Sequence, residues 1–401
     1  MTRALARALV LGALACSVWL APAFAADSSN TTPAPAGIDC DSAGNVYVSD
    51  YALDRLVKFG PDGSVLGQWG GSGVAPGQFS GPFGVAVDAS NSVFVVDQLN
   101  NRVQRFASDG TLLSSWGVAG AAPGELRTPF GVAVSNGHVY VADFGNDRVQ
   151  VFGVDGSLLS SFGTRGSGDG EFQRPADVAV GSDGSLYVTD HFNDRVERFT
   201  ADGHYQAQLG TLSSLALSPG ALAPAAGPTA TQTSAPAATS SPTVSPLLAS
   251  VTPTASTTSV LTPVPSPTIT AAATSVPTAT ATPFAGGFVI SATTPTPTLS
   301  AADAQLRRPE GVTVDHDGNL WVADYGRDRV VKLAPDGRPL LALGSRGSGP
   351  GEFVGPKGVA VDPLTGHLYV TDTGNGRVQR LAPDGTAEAA WPMPPMPPAA
   401  Q

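Results

Sequence analysis

The sequence predicts an all-β fold, a six-bladed β-propeller of four-stranded antiparallel blades that a Pro/Ser/Thr/Ala-rich insertion interrupts. Three observations lead to this prediction. A short apolar strand that follows a proline recurs along the chain at steps of 46 or 47 residues, with one longer step. Each copy also contains an Asp and an Arg five places apart. Within one step, period-2 alternation appears four times between turn residues, which indicates four strands per repeat.

The first 25 residues have the features of a secretory signal. Arg3 and Arg7 precede an apolar run that ends at Ala23-Phe24-Ala25, a small-x-small cleavage pattern. We therefore predict a cleaved leader at 1–25, a short linker at 26–34 and an exported protein that is extracellular, periplasmic or at the cell surface. A retained membrane anchor and a lipid on Cys16 are alternatives, although the run is short for a bilayer span and continues past the cysteine.

Charge and cysteine content exclude several classes of protein. The formal net charge is −11, and loss of the two arginines in the leader makes it more negative. Because phosphate backbones are bound by clustered Lys and Arg, we expect no nucleic-acid partner. After cleavage Cys40 is the one cysteine left, which excludes an intrachain disulfide and a zinc site of several cysteines. We expect a monomer without a cofactor and without a membrane span after cleavage.

The repeats define the blades. Blades 1–4 are predicted at 35–210 and blades 5–6 at 303–393, followed by a Pro-rich tail at 394–401. Their first strands begin at Pro35, Pro82, Pro129, Pro175, Pro309 and Pro356. An Asp-Gly dipeptide precedes the fourth strand of every copy, as in tight hairpins where Gly accepts positive φ. One such sheet cannot bury both faces alone, whereas sheets arranged radially cover one another.

Residues 211–302 differ in composition from the rest of the chain. They contain no Asp, Glu, Lys or Arg and 14 of the 35 prolines, among Ser, Thr and Ala. With few large apolar residues to bury, this segment cannot offset the entropy of ordering. We predict a disordered low-complexity insertion between blades 4 and 5, which is either a plain solvated linker or an O-glycosylated spacer.

The recurring pattern PxGVAVD…VYVAD…N.RVQ.F..DG resembles the NHL repeat, and the resemblance covers nearly all of the chain outside the leader and the insertion. It implies a six-bladed propeller. It says less about function, because propellers of this type host binding, scaffolding, nucleic-acid recognition and a few enzymatic chemistries. The enzyme that this resemblance implies most directly is a metal-dependent lyase of the peptide-amidating type. The positions of the histidines weaken that hypothesis, because the five are not expected to converge on one metal.

The Asp and Arg of each copy are predicted to form structural ion pairs. The Asp ends the second strand and the Arg opens the third across a tight turn, which places the two side chains opposite each other. Six equivalent copies around a ring are also difficult to reconcile with one asymmetric active site. The pairs are Asp50–Arg55, Asp97–Arg102, Asp143–Arg148, Asp190–Arg195, Asp324–Arg329 and Asp372–Arg377.

Candidate ligand-binding residues lie on one face, which we call the top face. It carries the connections from the second to the third strand of each blade and from one blade to the next. The residue after each blade-start proline is predicted to face the mouth of the central channel: Ala36, Phe83, Phe130, Ala176, Glu310 and Lys357. The residue after each second-strand Asp forms an outer ring: Tyr51, Gln98, Phe144, His191, Tyr325 and Thr373.

We expect the two phenylalanines of the mouth to lie opposite Glu310 and Lys357, an arrangement of apolar surface and polar anchors that suits a ligand. Simple packing of the phenylalanines and a surface Glu310–Lys357 pair is the alternative. The aromatic residues of the outer ring are expected to be exposed and to contact sugar rings or peptide side chains. The predicted function is therefore a non-enzymatic binding or scaffold module for protein, peptide or glycan.

No catalytic constellation is recognisable in the sequence. The alternative function is a propeller-type lyase or hydrolase at the channel mouth, with His191, Glu310 or Lys357 as acid–base groups.

Overall fold

The computed structural model describes residues 32–211 and 301–395, which form six four-stranded antiparallel sheets. All of these residues belong to one compact unit; a second unit, residues 222–296, lies outside the described residues. The predicted leader, nearly all of the predicted insertion and most of the tail also lie outside them. No helix in the described ranges is long and apolar enough to cross a membrane.

Each sheet is built from consecutive strands, so each repeat is one blade. Blades 1 to 3 comprise β1 (Pro35–Cys40), β2 (Val46–Asp50), β3 (Arg55–Phe59), β4 (Val65–Gly70), β5 (Pro82–Val87), β6 (Val93–Asp97), β7 (Arg102–Phe106), β8 (Leu112–Trp116), β9 (Val132–Ser135), β10 (His138–Asp143), β11 (Arg148–Gly153) and β12 (Leu158–Phe162). A two-stranded parallel pair, β13 (Thr164–Arg165) with β14 (Glu171–Phe172), lies in the following loop.

Blades 4 to 6 follow the same plan. They comprise β15 (Pro175–Val180), β16 (Leu186–Asp190), β17 (Arg195–Phe199), β18 (Tyr205–Leu209), β19 (Pro309–Val314), β20 (Leu320–Asp324), β21 (Arg329–Leu333), β22 (Pro339–Leu343), β23 (Pro356–Val361), β24 (Leu368–Asp372), β25 (Arg377–Leu381) and β26 (Ala387–Pro392). A single helical turn, α1 (Ala301–Ala304), precedes blade 5. The six-bladed all-β fold predicted from the sequence is thus confirmed.

The hydrophobic core lies between the blades. Six clusters of buried side chains each join two neighbouring blades. Between blades 2 and 3, for example, Phe94 packs with Val141 and Phe152. A residue of each inter-blade loop, such as Leu126 or Phe172, is fully buried in such a cluster. Burying one of these side chains contributes about 1.5–3 kcal/mol, so the interfaces between blades hold the ring together.

Glycine permits the inner strands to approach one another closely. A Cβ on Gly84 would stand 2.5 Å from the carbonyl oxygen of Phe130 in the next blade. Gly37, Gly131, Gly311 and Gly358 occupy the same position in other blades and would meet the next blade at similarly short distances. Only blade 4 departs, because Asp177 stands there. The inner strands therefore pack around a narrow axis.

The Asp and Arg of each repeat form an ion pair in all six blades, with N···O distances between 2.7 and 3.0 Å. Each Asp side chain is fully buried. In blade 3, Asp143 also accepts hydrogen bonds from the backbone N–H of Arg127 at 2.8 Å and from the Asn146 side chain at 2.8 Å. The Asp therefore ties the turn inside its own blade to the preceding inter-blade loop.

The paired arginines hold the same loops from the other side. The guanidinium of Arg148 donates to the carbonyl oxygens of Ala122 and Glu125 at 2.9 and 2.8 Å. Gln150, two residues further along β11, donates to the Glu125 carbonyl at 2.7 Å and to Asp143 at 3.1 Å. Each pair is thus the centre of a polar network that joins the second and third strands of a blade to the segment that precedes the blade.

Blade 4 carries a carboxylic acid where three other blades carry glutamine. Glu197 occupies the place of Gln104, Gln150 and Gln379. Its Oε1 lies 3.1 Å from the Arg195 guanidinium and accepts from the Gly170 N–H at 3.3 Å. Its Oε2 is buried and has no hydrogen-bond partner among the described residues. Burial, together with the nearby charges of Asp190 and Asp169, raises the pKa of Glu197 to about 8 against the opposing effect of Arg195.

The ring closes by packing, without exchange of a strand between the first and last blades. Ile38 and Phe59 of blade 1 share a buried cluster with Tyr369 and Trp391 of blade 6. The ring centroids of Phe59 and Trp391 are 5.8 Å apart. Across the same junction, Thr371 donates its hydroxyl proton to the Ala36 carbonyl at 2.7 Å.

The segment after β26 completes this junction. Arg55 of blade 1 has no preceding inter-blade loop to hold, and its guanidinium donates instead to the carbonyl oxygens of Pro394 and Pro395, the latter at 3.1 Å. These two carbonyls take the role that Ala122 and Glu125 have for blade 3. The sequence just after the last strand is therefore part of the propeller.

Candidate functional site

The channel mouth is more filled than the sequence suggested. Of the six residues predicted to face it, Ala36, Phe83, Ala176 and Glu310 are buried, and Phe130 and Lys357 are partly buried. The rings of Phe83 and Phe130 pack with their centroids 4.4 Å apart. Below them, the inner strands line a cavity of about 200 Å³.

We expected Phe83 and Phe130 to lie opposite Glu310 and Lys357, but Lys357 is in contact with the Phe83 ring. Its Nζ lies 2.9 Å from Glu310, 5.0 Å from the centroid of the Phe83 ring and 5.1 Å from that of Tyr325. Blade 1, which stands between Lys357 and Phe83, contributes only the small Ala36. The long lysine side chain therefore spans blade 1 and contacts the aromatic surface instead of facing it across an open channel.

The outer ring brings its aromatic residues into contact with the mouth. The rings of Phe130 and Phe144 stack at 3.9 Å with an interplanar angle of 11°. Phe144 lies 6.3 Å from His191, and His191 lies 6.5 Å from Tyr325, centroid to centroid. On the other side Tyr51 meets Phe83 edge-on at 6.2 Å. The six aromatic rings thus form one band around the mouth, which we call the aromatic band.

The exposure expected for the aromatic residues of the outer ring is wrong for one of them, His191. Gln98 and His191 are buried, whereas Tyr51, Phe144 and Tyr325 are partly exposed. His191 is held by a contact of 3.2 Å between its Nδ1 and the Pro309 carbonyl oxygen, which fixes the proton on Nδ1. Burial lowers the pKa of His191, so the imidazole is neutral near pH 7. It therefore packs as an aromatic ring between its neighbours.

Two partly buried carboxyl groups in the channel were not predicted. Asp39 and Asp177 line the cavity. The Oδ2 of Asp39 accepts from the Val87 N–H of blade 2 at 2.7 Å, and the Oδ2 of Asp177 accepts from the Val312 N–H of blade 5 at 3.0 Å. Each carboxyl group therefore satisfies a backbone donor on the inner strand of the following blade.

Burial dominates the ionisation of both groups. It raises the pKa of Asp39 to about 6 and that of Asp177 to about 7, and the backbone hydrogen bonds only partly offset it. A signal for them was present in the sequence. Asp39 stands where blade 2 has Ala86, and Asp177 stands where every other blade has Gly. In each case a titratable side chain stands at a position where the other repeats carry a small residue or Thr.

The remaining histidines lie away from the top face. His138 opens β10, His316 and His367 lie between first and second strands, and His204 lies before β18. These connections emerge on the face opposite the top face. Within residues 32–211 and 301–395, no three His, Cys, Asp or Glu side chains gather in an arrangement that could hold a metal ion.

Comparison with protein families finds the NHL repeat four times, at residues 126–152, 172–199, 306–333 and 353–381. Each match runs from the buried residue of an inter-blade loop to the third strand of blades 3, 4, 5 and 6. It therefore includes the Asp–Arg pair and the outer-ring residue of each of these blades, which is Phe144, His191, Tyr325 or Thr373.

Similarity to individual proteins is local in sequence and broad in fold. Peptidyl-glycine alpha-amidating monooxygenase A of Xenopus laevis is 48% identical over 62 residues, which are 14% of this chain and 7% of that protein. A Bacteroides thetaiotaomicron protein of unknown function has 13% identity and a TM-score of 0.52 over 90% of this chain and 71% of its own. A streptogramin B lyase has 13% identity and a TM-score of 0.50 over 92% and 86%. At these identities the structural matches show the fold alone.

Proposed function

Because this chain is an NHL-repeat β-propeller, we propose that it is a non-enzymatic binding module that holds a protein, peptide or glycan ligand on its top face. The observation that carries the proposal is the aromatic band. Six rings from Tyr51 to Tyr325 contact one another around the mouth, and three of them are partly exposed at its outer ring. Rings already fixed by their neighbours lose little entropy on binding, so such a surface is suited to recognition.

The ligand is proposed to bind across the aromatic band and not deep in the channel. The entrance is occupied by the Lys357–Glu310 pair, which closes on Phe83 and Tyr325. A lysine between two rings and a carboxylate is already satisfied, and displacing it would leave Glu310 buried without its partner. The exposed edges of Phe144 and Tyr325 carry no such cost.

We also propose that the protein works outside the cytoplasm as a monomer. The leader-like sequence at 1–25 supports export, and the acidic net charge of −11 argues against nucleic acid as the partner. The uncharged segment at 211–302 lies between blades 4 and 5 in the sequence, and we propose that it serves as a spacer.

The test is a binding screen of peptides and glycans against wild type and the Phe130→Ala/Phe144→Ala variant. His138→Ala, an exposed ring on the opposite face, is the matched control. We expect hits that the double variant loses and the control keeps. A hit profile that is identical in all three proteins would refute binding at the aromatic band, provided that circular dichroism shows the variants folded.

A second candidate is a lyase or hydrolase at the same mouth. It is favoured by the proximity of His191 to Glu310 and Lys357, whose charges both influence the pKa of the imidazole. The local likeness to a peptidyl-glycine amidating enzyme supports it over only 62 residues. Stoichiometric metal in the purified protein, and turnover of peptidyl-glycine substrates that His191→Ala abolishes, would favour the enzyme over the binding module.

A further inference from the structure

Two arginines occupy a backbone position that suits glycine. The residue before each blade-start proline has a left-handed conformation in blades 2 to 6: Gly81, Thr128, Arg174, Arg308 and Gly355, with φ of 60°, 42°, 62°, 49° and 57°. Two copies use Gly there, as the conformation favours. Blades 4 and 5, which are adjacent, use Arg.

An arginine in this conformation is costly to the fold. For a residue with a Cβ, the left-handed region costs about 1–2 kcal/mol relative to ordinary helical backbone. Strain of this kind persists where the surroundings enforce it, and it is concentrated at functional sites. Here the surroundings do enforce it, because Asp147 accepts from the Arg174 N–H at 2.8 Å and Asp194 accepts from the Arg308 N–H at 2.7 Å.

Both guanidinium groups lie over rings of the top face. The Cζ of Arg174 is 5.3 Å from the centroid of Phe144, and the Cζ of Arg308 is 5.9 Å from that of Phe192. Phe192 is 40% exposed and meets His191 edge-on at 4.8 Å, while Phe144 lies 6.3 Å from the same His191. The two arginines thus flank a single aromatic surface centred on His191.

Within residues 32–211 and 301–395, neither arginine forms an ion pair with an acidic side chain. No carboxylate of the described residues lies within ion-pair distance of either guanidinium, although the same face contains closed pairs such as Arg346–Asp328 at 3.1 Å. Outside the described residues the sequence holds one acidic side chain, Asp27. The chain has a net charge of −11, and these two cations of adjacent blades have no acidic partner among the described residues. Because both also lie over rings, they form a local site for negative charge.

We propose that Arg174 and Arg308 bind the carboxylates of an acidic, uronate-bearing glycan whose sugar rings stack on Phe144 and Phe192. The inference rests on the proposed binding function and names its ligand class. Planar guanidinium groups match carboxylates with two parallel hydrogen bonds, and exposed ring faces suit sugars. Two equivalent arginines one blade apart match a polymer that repeats its charge. A single-stranded nucleic acid would also use rings and arginines, so an oligoribonucleotide serves as the competing probe in the test.

The experiment compares Arg174→Gly/Arg308→Gly with wild type. Glycine is the residue of two other blades at this position, so the variant removes both charges and relieves the backbone, and its melting temperature should equal or exceed that of wild type. Thr128→Gly is the matched control because it relieves the same backbone in blade 3 without a change of charge. The probes are a galacturonate tetrasaccharide, its uncharged methyl ester and an oligoribonucleotide, measured by calorimetry at low and high salt.

We expect wild type and Thr128→Gly to bind the galacturonate tetrasaccharide, with weaker binding at high salt, and the double variant to lose roughly ten-fold or more in affinity. Equal affinity for the acid and its methyl ester, an unaffected double variant, or tighter binding of the oligoribonucleotide would overturn the inference. A neutral ligand lost in Phe130→Ala/Phe144→Ala but kept in the arginine variant would overturn it while leaving the proposed function intact. Absence of any ligand at this face would overturn both.

Discussion

Replacement of Glu197 by glutamine is predicted to stabilise the propeller by an amount that depends on pH. Glutamine is the residue of blades 2, 3 and 6 at this position, and in blade 3 it donates to a loop carbonyl and to the paired Asp. Glu197 has a buried Oε2 without a partner and a side chain with no exposed surface. The glutamine amide would supply the missing donor at any pH.

The magnitude follows from the pKa of Glu197, which is raised from 4.5 to about 8. Between these values the folded protein keeps a proton that the unfolded chain releases, so the stability of the fold decreases as pH rises, by about 1.4 kcal/mol per pH unit. The contribution is fully present below pH 4.5 and lost once pH passes 8. From pH 5 to pH 7 the free energy of unfolding should fall by about 3 kcal/mol through this group.

The assay is urea unfolding of wild type and Glu197→Gln at pH 5, 6, 7 and 8, followed by tryptophan fluorescence. The advantage of the variant should grow with pH over this range. Gln150→Glu, the reverse exchange at the same position of blade 3, is the control and should introduce the same dependence. A constant difference between Glu197→Gln and wild type at all four pH values would refute the inference that Glu197 is protonated in the folded protein.

Three further changes test other parts of the structure. Asp143→Ala leaves the partly buried Arg148 guanidinium without its partner and should cost about 3–5 kcal/mol in denaturant unfolding. Breaking the more exposed Arg198–Asp183 pair with Arg198→Ala should cost less than about 1 kcal/mol. Gly84→Ala forces two inner strands apart and should lower stability by about 1–3 kcal/mol; an unchanged melting temperature would contradict the close approach. Asp177→Asn should flatten the decrease of stability between pH 4 and 7, seen as a smaller shift of melting temperature.

Features that every blade shares could be predicted from the sequence, because six copies repeat the same physical requirement. The Asp–Gly turn before each fourth strand is one example. In blade 3, Gly156 has a φ of 86°, and a Cβ there would lie 2.7 Å from Trp116 of the preceding blade. The recurrence of the Asp and Arg likewise indicated contact between them, and each pair is closed.

Features in which one blade differs from the rest were harder to predict. The pattern that defines the repeat gives no role to Asp39, Asp177 and Glu197, although burial raises the pKa of all three. The reach of Lys357 past Ala36 depends on the size of a side chain in a different repeat. Contacts of this kind depend on which blades are neighbours and on the exact width of the ring, and spacing along the chain does not supply either.

The way in which the ring closes has a consequence for how such a molecule can change. Since the junction between β1 and β26 exchanges no strand, every module is an uninterrupted stretch of chain, and a gene could gain or lose one whole unit without rerouting its neighbours. The carbonyls of Pro394 and Pro395 substitute for a loop at this junction. In a circular permutant opened between blades 2 and 3, the segment that contains Pro394 and Pro395 would become an ordinary linker between two blades. Arg148 of blade 3 would then lose its preceding loop and would need carbonyl acceptors from the new C-terminal segment.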